Sequence, residues 1–286
     1  MKSIRVPFRP KHACRILVGL IVIFLIFASS FASSFALAAD RERPADPSCC
    51  RVVELRQYFL KPGRRDELIQ LFDREFIETQ EADGMRIIGE FGDEDDPDRF
   101  VWIRGFADMR ARKRGLVAFY SGPAWKKFGK QAAATMIDSD DVLLLRPVDP
   151  ADGFDDLSTA RSAFGTVAPP AFVIATLYHL KPHMQAAFLD YFQKVLRPAL
   201  RIAGVALRAT FETEHAQNSY PALPIREGED VFVWFVSYEN PQDYADALNR
   251  MARSPSWNDA QSGLQAYLDA PPHVLRLRPT GRSLLH

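Results

Sequence analysis

Glu54, Arg56 and Tyr58 are spaced two apart within Val52 to Leu60, a segment that alternates and is rich in β-forming residues. In a strand, that spacing puts all three side chains on one face. Trp102 and Arg104 share a face of another strand in the same way. If those faces line the interior of a barrel, they combine one carboxylate, two guanidinium groups and two aromatic rings. Such a pocket suits a small anionic or aromatic ligand. The competing reading is a structural ion-pair network that fixes the sheet, because buried charges are normally paired.

Other constellations carry less. His179 and His183 are four apart, a metal-binding spacing on a helix, but Pro182 lies between them at a strand-to-helix junction and no third ligand is evident; no metal or cofactor is expected. Asp93, Glu94, Asp95, Asp96 and Asp98 lack the glycine pattern of a calcium loop and read as a solvated acidic turn. Arg110, Arg112, Lys113 and Arg114 read as an exposed helix face. No nucleophile elbow, phosphate loop, zinc-finger spacing or nucleotide-binding glycine pattern is present.

The elements that must position these residues occur twice. Tyr58-Phe59-Leu60-Lys61-Pro62 returns as Tyr178-His179-Leu180-Lys181-Pro182, and Gly84 as Gly204, 120 residues later. Phe100-Val101-Trp102 returns as Phe232-Val233-Trp234, Trp125 as Trp257, and Val142 to Pro147 as Val274 to Pro279, at an offset of 132. The chain is a tandem duplication, with 12 extra residues within Thr213 to Asp230 of the second copy. In each copy a strand leads through a proline to an amphipathic helix, with Leu68, Phe72 and Phe76 matched by Phe188, Phe192 and Leu196. Pro198 is expected to kink or shorten the second of these helices. Gly84 and Gly204 cap their ends. Strands at Met85 to Phe91 and Arg99 to Phe106, helices from about Ala107 to Ala134 broken near Gly122-Pro123, and a strand at Val142 to Arg146 complete the first copy.

The order β-α-β-β-α-β is the ferredoxin-like split βαβ motif, an α+β arrangement with both helices on one face of a four-stranded antiparallel sheet. The other face must be buried. Two such sheets on one chain can pack face to face as an intrachain pseudo-dimeric α/β barrel. The expected organisation is a signal peptide at 1–38, an N-terminal linker at 39–51, a first repeat at 52–148, a connector at 149–171 and a second repeat at 172–280.

Glu54 to Gly63, Trp102 on the third strand and Trp125 in the helical region resemble a NIPSNAP domain. The resemblance covers almost all of the first repeat; the second is weaker, with Ile174 and Thr176 in place of Glu54 and Arg56. It implies the dimeric α/β-barrel superfamily, which includes small monooxygenases, isomerases and haem-handling proteins. The family has no settled reaction, and no catalytic residues carry over.

The N-terminus reads as an export signal. Lys2, Arg5, Arg9, Lys11 and Arg15 precede an uncharged, largely apolar run, and Ala36-Leu37-Ala38 forms a small-x-small site for cleavage before Ala39. An uncleaved membrane anchor is the alternative. Both place the rest of the chain outside the cytoplasm, periplasmic or secreted. Cys49 and Cys50 form a vicinal disulfide, join two chains or stay as thiols; an oxidising compartment favours an oxidised form. Apolar residues make up 47% of the chain, enough for a sizeable core, and a net charge of zero gives no sign of a nucleic-acid partner. The chain is expected to be a monomer or homodimer that binds a small ligand or a protein. A cofactor-independent oxygenase or isomerase, with Glu54 and Tyr58 in acid–base roles, is the alternative.

Overall fold

Alternation along each strand makes two apolar faces, and closure of the sheet decides where each one goes. The computed structural model describes residues 49–154, 157 and 160–286. The expected signal or anchor, and most of the N-terminal linker, lie outside the described residues. Among the described residues no helix is long and apolar enough to cross a membrane.

The first repeat supplies β1 (Val52–Leu60), β2 (Arg86–Asp93), β3 (Arg99–Phe106) and β4 (Met136–Pro147); the second supplies β5 (Phe172–His179), β6 (Ala209–Thr213), β7 (Val231–Tyr238) and β8 (His273–Pro279). All eight close into one antiparallel barrel in the order β1-β3-β2-β8-β5-β7-β6-β4. The repeats meet at two seams, β2 with β8 and β4 with β6. Closure leaves no sheet edge to template aggregation. The expected pseudo-dimeric barrel is therefore what the chain forms.

The barrel interior is apolar. Every strand contributes to it, with Val53 and Leu55, Phe91, Ile103, Leu145, Val173, Phe211, Phe235 and Leu277 among the packed residues. Phe154 of the connector rests on Phe211 and Phe235, and Leu285 from the C-terminal tail joins the same core.

The outer face of each half-sheet is covered by its own helices. In the first repeat these are α1 (Arg65–Leu71), a π-helical turn Phe72–Phe76, α2 (Ile77–Ala82), α3 (Met109–Ser121) and α4 (Pro123–Thr135). The second repeat has α5 (Gln185–Tyr191), a π-helical turn Phe192–Leu196, α6 (Arg197–Ile202), α7 (Pro241–Ala252) and α8 (Pro255–Gly263). Pro198 does not shorten its helix relative to the first copy. It sits in the first turn after the π-helical turn, and the helix ends at Ile202, the equivalent of Ala82. The first copy has the same π-helical turn without a proline, so that turn belongs to the repeat and not to Pro198. Gly84 and Gly204 end these helices with φ of +83° and +75°, a conformation that a Cβ disfavours. Asp108 and Asn240 cap α3 and α7 through side-chain oxygens.

Candidate functional site

Antiparallel register brings the polar set of the first repeat together. Glu54 stands opposite Arg104, Arg56 opposite Trp102, and Tyr58 opposite Phe100. Their faces do not line the barrel interior. Val53 and Leu55 take that side, so Glu54, Arg56, Tyr58, Trp102 and Arg104 point outward, into the layer between sheet and helices. There they are fully enclosed: Glu54, Arg56 and Arg104 have no exposed surface.

Glu54 is the hub. Its Oε2 accepts from Arg56 Nη1 at 2.8 Å and from Arg104 Nε at 2.8 Å, and its Oε1 accepts from Arg112 Nε at 2.7 Å. Burial would raise the Glu54 pKa, but Arg104, Arg56 and Arg112 more than offset it and hold the carboxyl well below the usual range. Arg112 is a correction to the sequence reading, which put it on an exposed face. Along α3 it shares a buried stripe with Leu116 and Phe119, while Arg110 remains exposed. The i, i+4, i+7 spacing of those three residues is the signal that could have found it.

Three guanidiniums thus surround one carboxylate. Neutral groups complete part of the shell: Gln80 Oε1 accepts from Arg104 at 2.9 Å, and Asn218 Oδ1 and Ser219 Oγ accept from Arg112 Nη1 at 2.9 and 3.0 Å. Asn218 and Ser219 belong to the long β6–β7 loop of the second repeat, the site of the 12-residue insertion. The same loop stacks Tyr220 on Tyr120 at 5.8 Å and packs Leu223 and Ile225 onto the core of the first repeat. The second repeat therefore closes the site of the first. Arg56 Nη2 and Arg112 Nη2 are buried without a hydrogen-bond partner among the described residues.

Beside this cluster is a cavity of about 160 Å³. Tyr58, Phe72, Phe76, Trp102, Phe119 and Trp125 form its aromatic walls, and Leu223 of the loop is part of its lining. Tyr58 and Trp102 face the cavity directly, while Glu54, Arg56 and Arg104 form the charged layer behind them. The Arg56 and Arg104 guanidiniums lie 5.5 and 4.9 Å from the Trp102 ring centre, within cation–π range. Arg56 Nε donates to the Tyr58 hydroxyl at 2.9 Å. Burial pushes the Tyr58 pKa up, so the phenol keeps its proton near neutral pH. The Trp102 indole N–H has no hydrogen-bond partner among the described residues.

The remaining candidates lie apart from the cavity. His179 Nδ1 is 3.5 Å from Glu229, and His215 Nε2 is 2.8 Å from Gln185. Glu94 and Asp95 of the acidic turn pair with Arg278 and Arg276 across the β2–β8 seam.

A closed barrel made of two β-α-β-β-α-β repeats on one chain, each with its own layer between sheet and helices, defines a pseudo-dimeric α/β barrel. Two solved structures of low identity share that fold. A candidate monooxygenase from Fusobacterium nucleatum is 10% identical, with 80% of this chain and 92% of that one covered at a TM-score of 0.51. An anthrone oxidase-like protein is 12% identical, with 80% and 91% covered at a TM-score of 0.52. A NIPSNAP-like domain protein from Burkholderia xenovorans is 26% identical over 36% of this chain and 89% of its own, at a TM-score of 0.32. No curated protein matches the sequence. The NIPSNAP family model matches residues 53–151, the segment that supplies the first half of the barrel.

Proposed function

We propose that the first repeat binds a single-ring aromatic molecule that carries an oxygen acceptor, such as a phenolate, carboxylate or carbonyl. The observation that carries this reading is the Tyr58 hydroxyl on the cavity wall. Its oxygen is taken by Arg56, its proton has no acceptor among the described residues, and the adjacent guanidinium polarises the O–H bond. The Trp102 N–H supplies a second unspent donor. The volume suits one ring, since an apolar cavity of about 150 Å³ holds benzene. Three buried guanidiniums against one carboxylate favour an anionic partner, because excess buried charge is costly.

An oxygenase or isomerase reading has less support. Among the described residues lining the cavity the acid–base groups are phenols, Tyr58 and Tyr120. Glu54 is a poor base, because ion pairing holds its pKa so low.

The test is saturation-transfer NMR with 4-hydroxybenzoate, benzoate and phenol on the mature chain. Binding of the hydroxybenzoate that weakens at least tenfold in Tyr58→Phe, with an unchanged melting temperature, is the expected result. No binding of any of the three at millimolar concentration refutes the reading. We also infer export. The N-terminal sequence supports it, as does the disulfide joining Cys49 to Cys50, a linkage that oxidising compartments maintain.

A further inference from the structure

The second repeat keeps the aromatic frame of the first and loses its charges. Tyr178 and Trp234 stand where the first repeat has Tyr58 and Trp102, and their strands pair in the same register. Glu54, Arg56 and Arg104 are replaced by Ile174, Thr176 and Val236, and the α3 position of Arg112 becomes Tyr244 in α7. Every member of the buried ion cluster has been exchanged for a neutral side chain. Phe119 and Tyr120 become Met251 and Ala252, which removes two rings from the wall.

These exchanges have a volume consequence. The layer between sheet and helices of the second repeat holds a cleft of about 510 Å³, against about 160 Å³ in the first. That lies within the roughly 300–1,000 Å³ of small-molecule sites. Tyr178, Trp234, Tyr238, Tyr244 and Trp257 line it, with Thr176, Asn258 and Gln261 as its polar lining groups. Burial pushes Tyr178 and Tyr238 up to about 12 and raises Tyr244, so the phenols are neutral near pH 7. Trp234 is 6% exposed. Its indole N–H lies near the Tyr178 hydroxyl but makes no hydrogen bond of good geometry. It is a buried donor on the wall of the cleft whose neighbouring acceptor, the Tyr178 hydroxyl, is poorly aligned.

The cleft stays open for a reason that lies in the other repeat. The long β6–β7 loop of the second repeat covers the first cavity. By the pseudo-symmetry of the barrel, the β2–β3 turn of the first repeat would cover the second cleft. That turn, residues 94–98, is 12 residues shorter. Leu248 and Val274 at the cleft remain 45% and 38% exposed.

We propose that this cleft is a second, separate ligand site, which takes an uncharged, planar, multi-ring aromatic molecule bearing one hydrogen-bond acceptor for Trp234. It stands independently of the single-ring reading of the first repeat. The duplication has then produced two pockets of opposite electrostatic character: one small, capped and cationic, the other large, open and neutral.

The probes that test this are a matched pair, neutral 1-N-phenylnaphthylamine and its anionic relative 8-anilinonaphthalene-1-sulfonate, titrated against the mature chain by fluorescence. The neutral probe is expected to saturate at one site per chain, with energy transfer from tryptophan, and to bind at least tenfold tighter than the sulfonate. Ala252→Tyr restores the residue the first repeat carries, at an exposed position that tolerates it, and is expected to weaken binding at least tenfold. Leu248→Trp, at the exposed rim, gives an independent obstruction with the same expected loss. Tyr58→Phe, in the other pocket, is expected to leave neutral-probe binding unchanged. The proposal is overturned if the neutral probe does not saturate, if the sulfonate binds as tightly, if both rim variants bind like the parent chain, or if Tyr58→Phe abolishes binding.

Discussion

Glu54→Gln isolates the energetics of the buried cluster. The substitution keeps the shape of the side chain and removes its charge. In the parent chain both carboxylate oxygens are used, Oε2 by Arg56 and Arg104 and Oε1 by Arg112. An amide must put an NH₂ where one oxygen was, facing a guanidinium donor, and it leaves three buried cations without a counter-charge. Breaking a buried pair by removing one partner costs about 3–5 kcal/mol. For a domain of this size each kcal/mol moves the melting temperature by about 2–4 °C, so the expected drop is roughly 6–20 °C. The assay is urea and thermal unfolding followed by tryptophan fluorescence, read at several pH values. The pH dependence carries its own sign. A carboxyl whose folded pKa lies below its unfolded value stabilises the fold above the unfolded value of 4.5, and that contribution is lost as pH falls toward the folded value. The parent chain should therefore lose stability more steeply below pH 4.5 than the variant. A drop smaller than about 1 kcal/mol, or parallel acid limbs in the two proteins, would show that Glu54 is not the counter-charge of the cluster.

Glu90 behaves in the opposite sense. It is fully buried, its Oε1 lies 3.5 Å from Arg161, and burial outweighs that cation and pushes its pKa up to about 8. A raised carboxyl stabilises the fold below its unfolded value of 4.5, and the contribution is lost as pH rises through 8. Glu90→Gln is therefore expected to flatten the stability profile between about pH 4.5 and 8, and to raise stability relative to the parent at pH 8; equal slopes in chemical denaturation across that range would refute this. Export is expected to appear as an intact mass beginning at Ala39 in protein recovered from outside the cytoplasm, whereas recovery of the chain only from the cytoplasm would contradict it.

The sequence determined a good deal. Repeated Tyr-x-Leu-Lys-Pro and Phe-Val-Trp segments at offsets of 120 and 132 are enough to define two copies, and alternation within β1 and β3 is enough to group Glu54 with Arg56 and Tyr58, and Trp102 with Arg104. Period-two patterning is local, so it survives translation into structure. It cannot say which face of a strand turns inward when both faces are buried, and in β1 both are. Only closure of the barrel decided that Val53 and Leu55 fill the interior while the charged face meets the helices. Arg112 was concealed within a run of basic residues, because a charge count ignores helical phase; its burial depends on which stripe of α3 docks. The cap over the first cavity was concealed for a different reason. Asn218, Ser219, Tyr220 and Leu223 lie about a hundred residues from the side chains they cover, in a loop without regular structure. Their placement follows from the two seams that bring the repeats together, a long-range contact that no local pattern encodes.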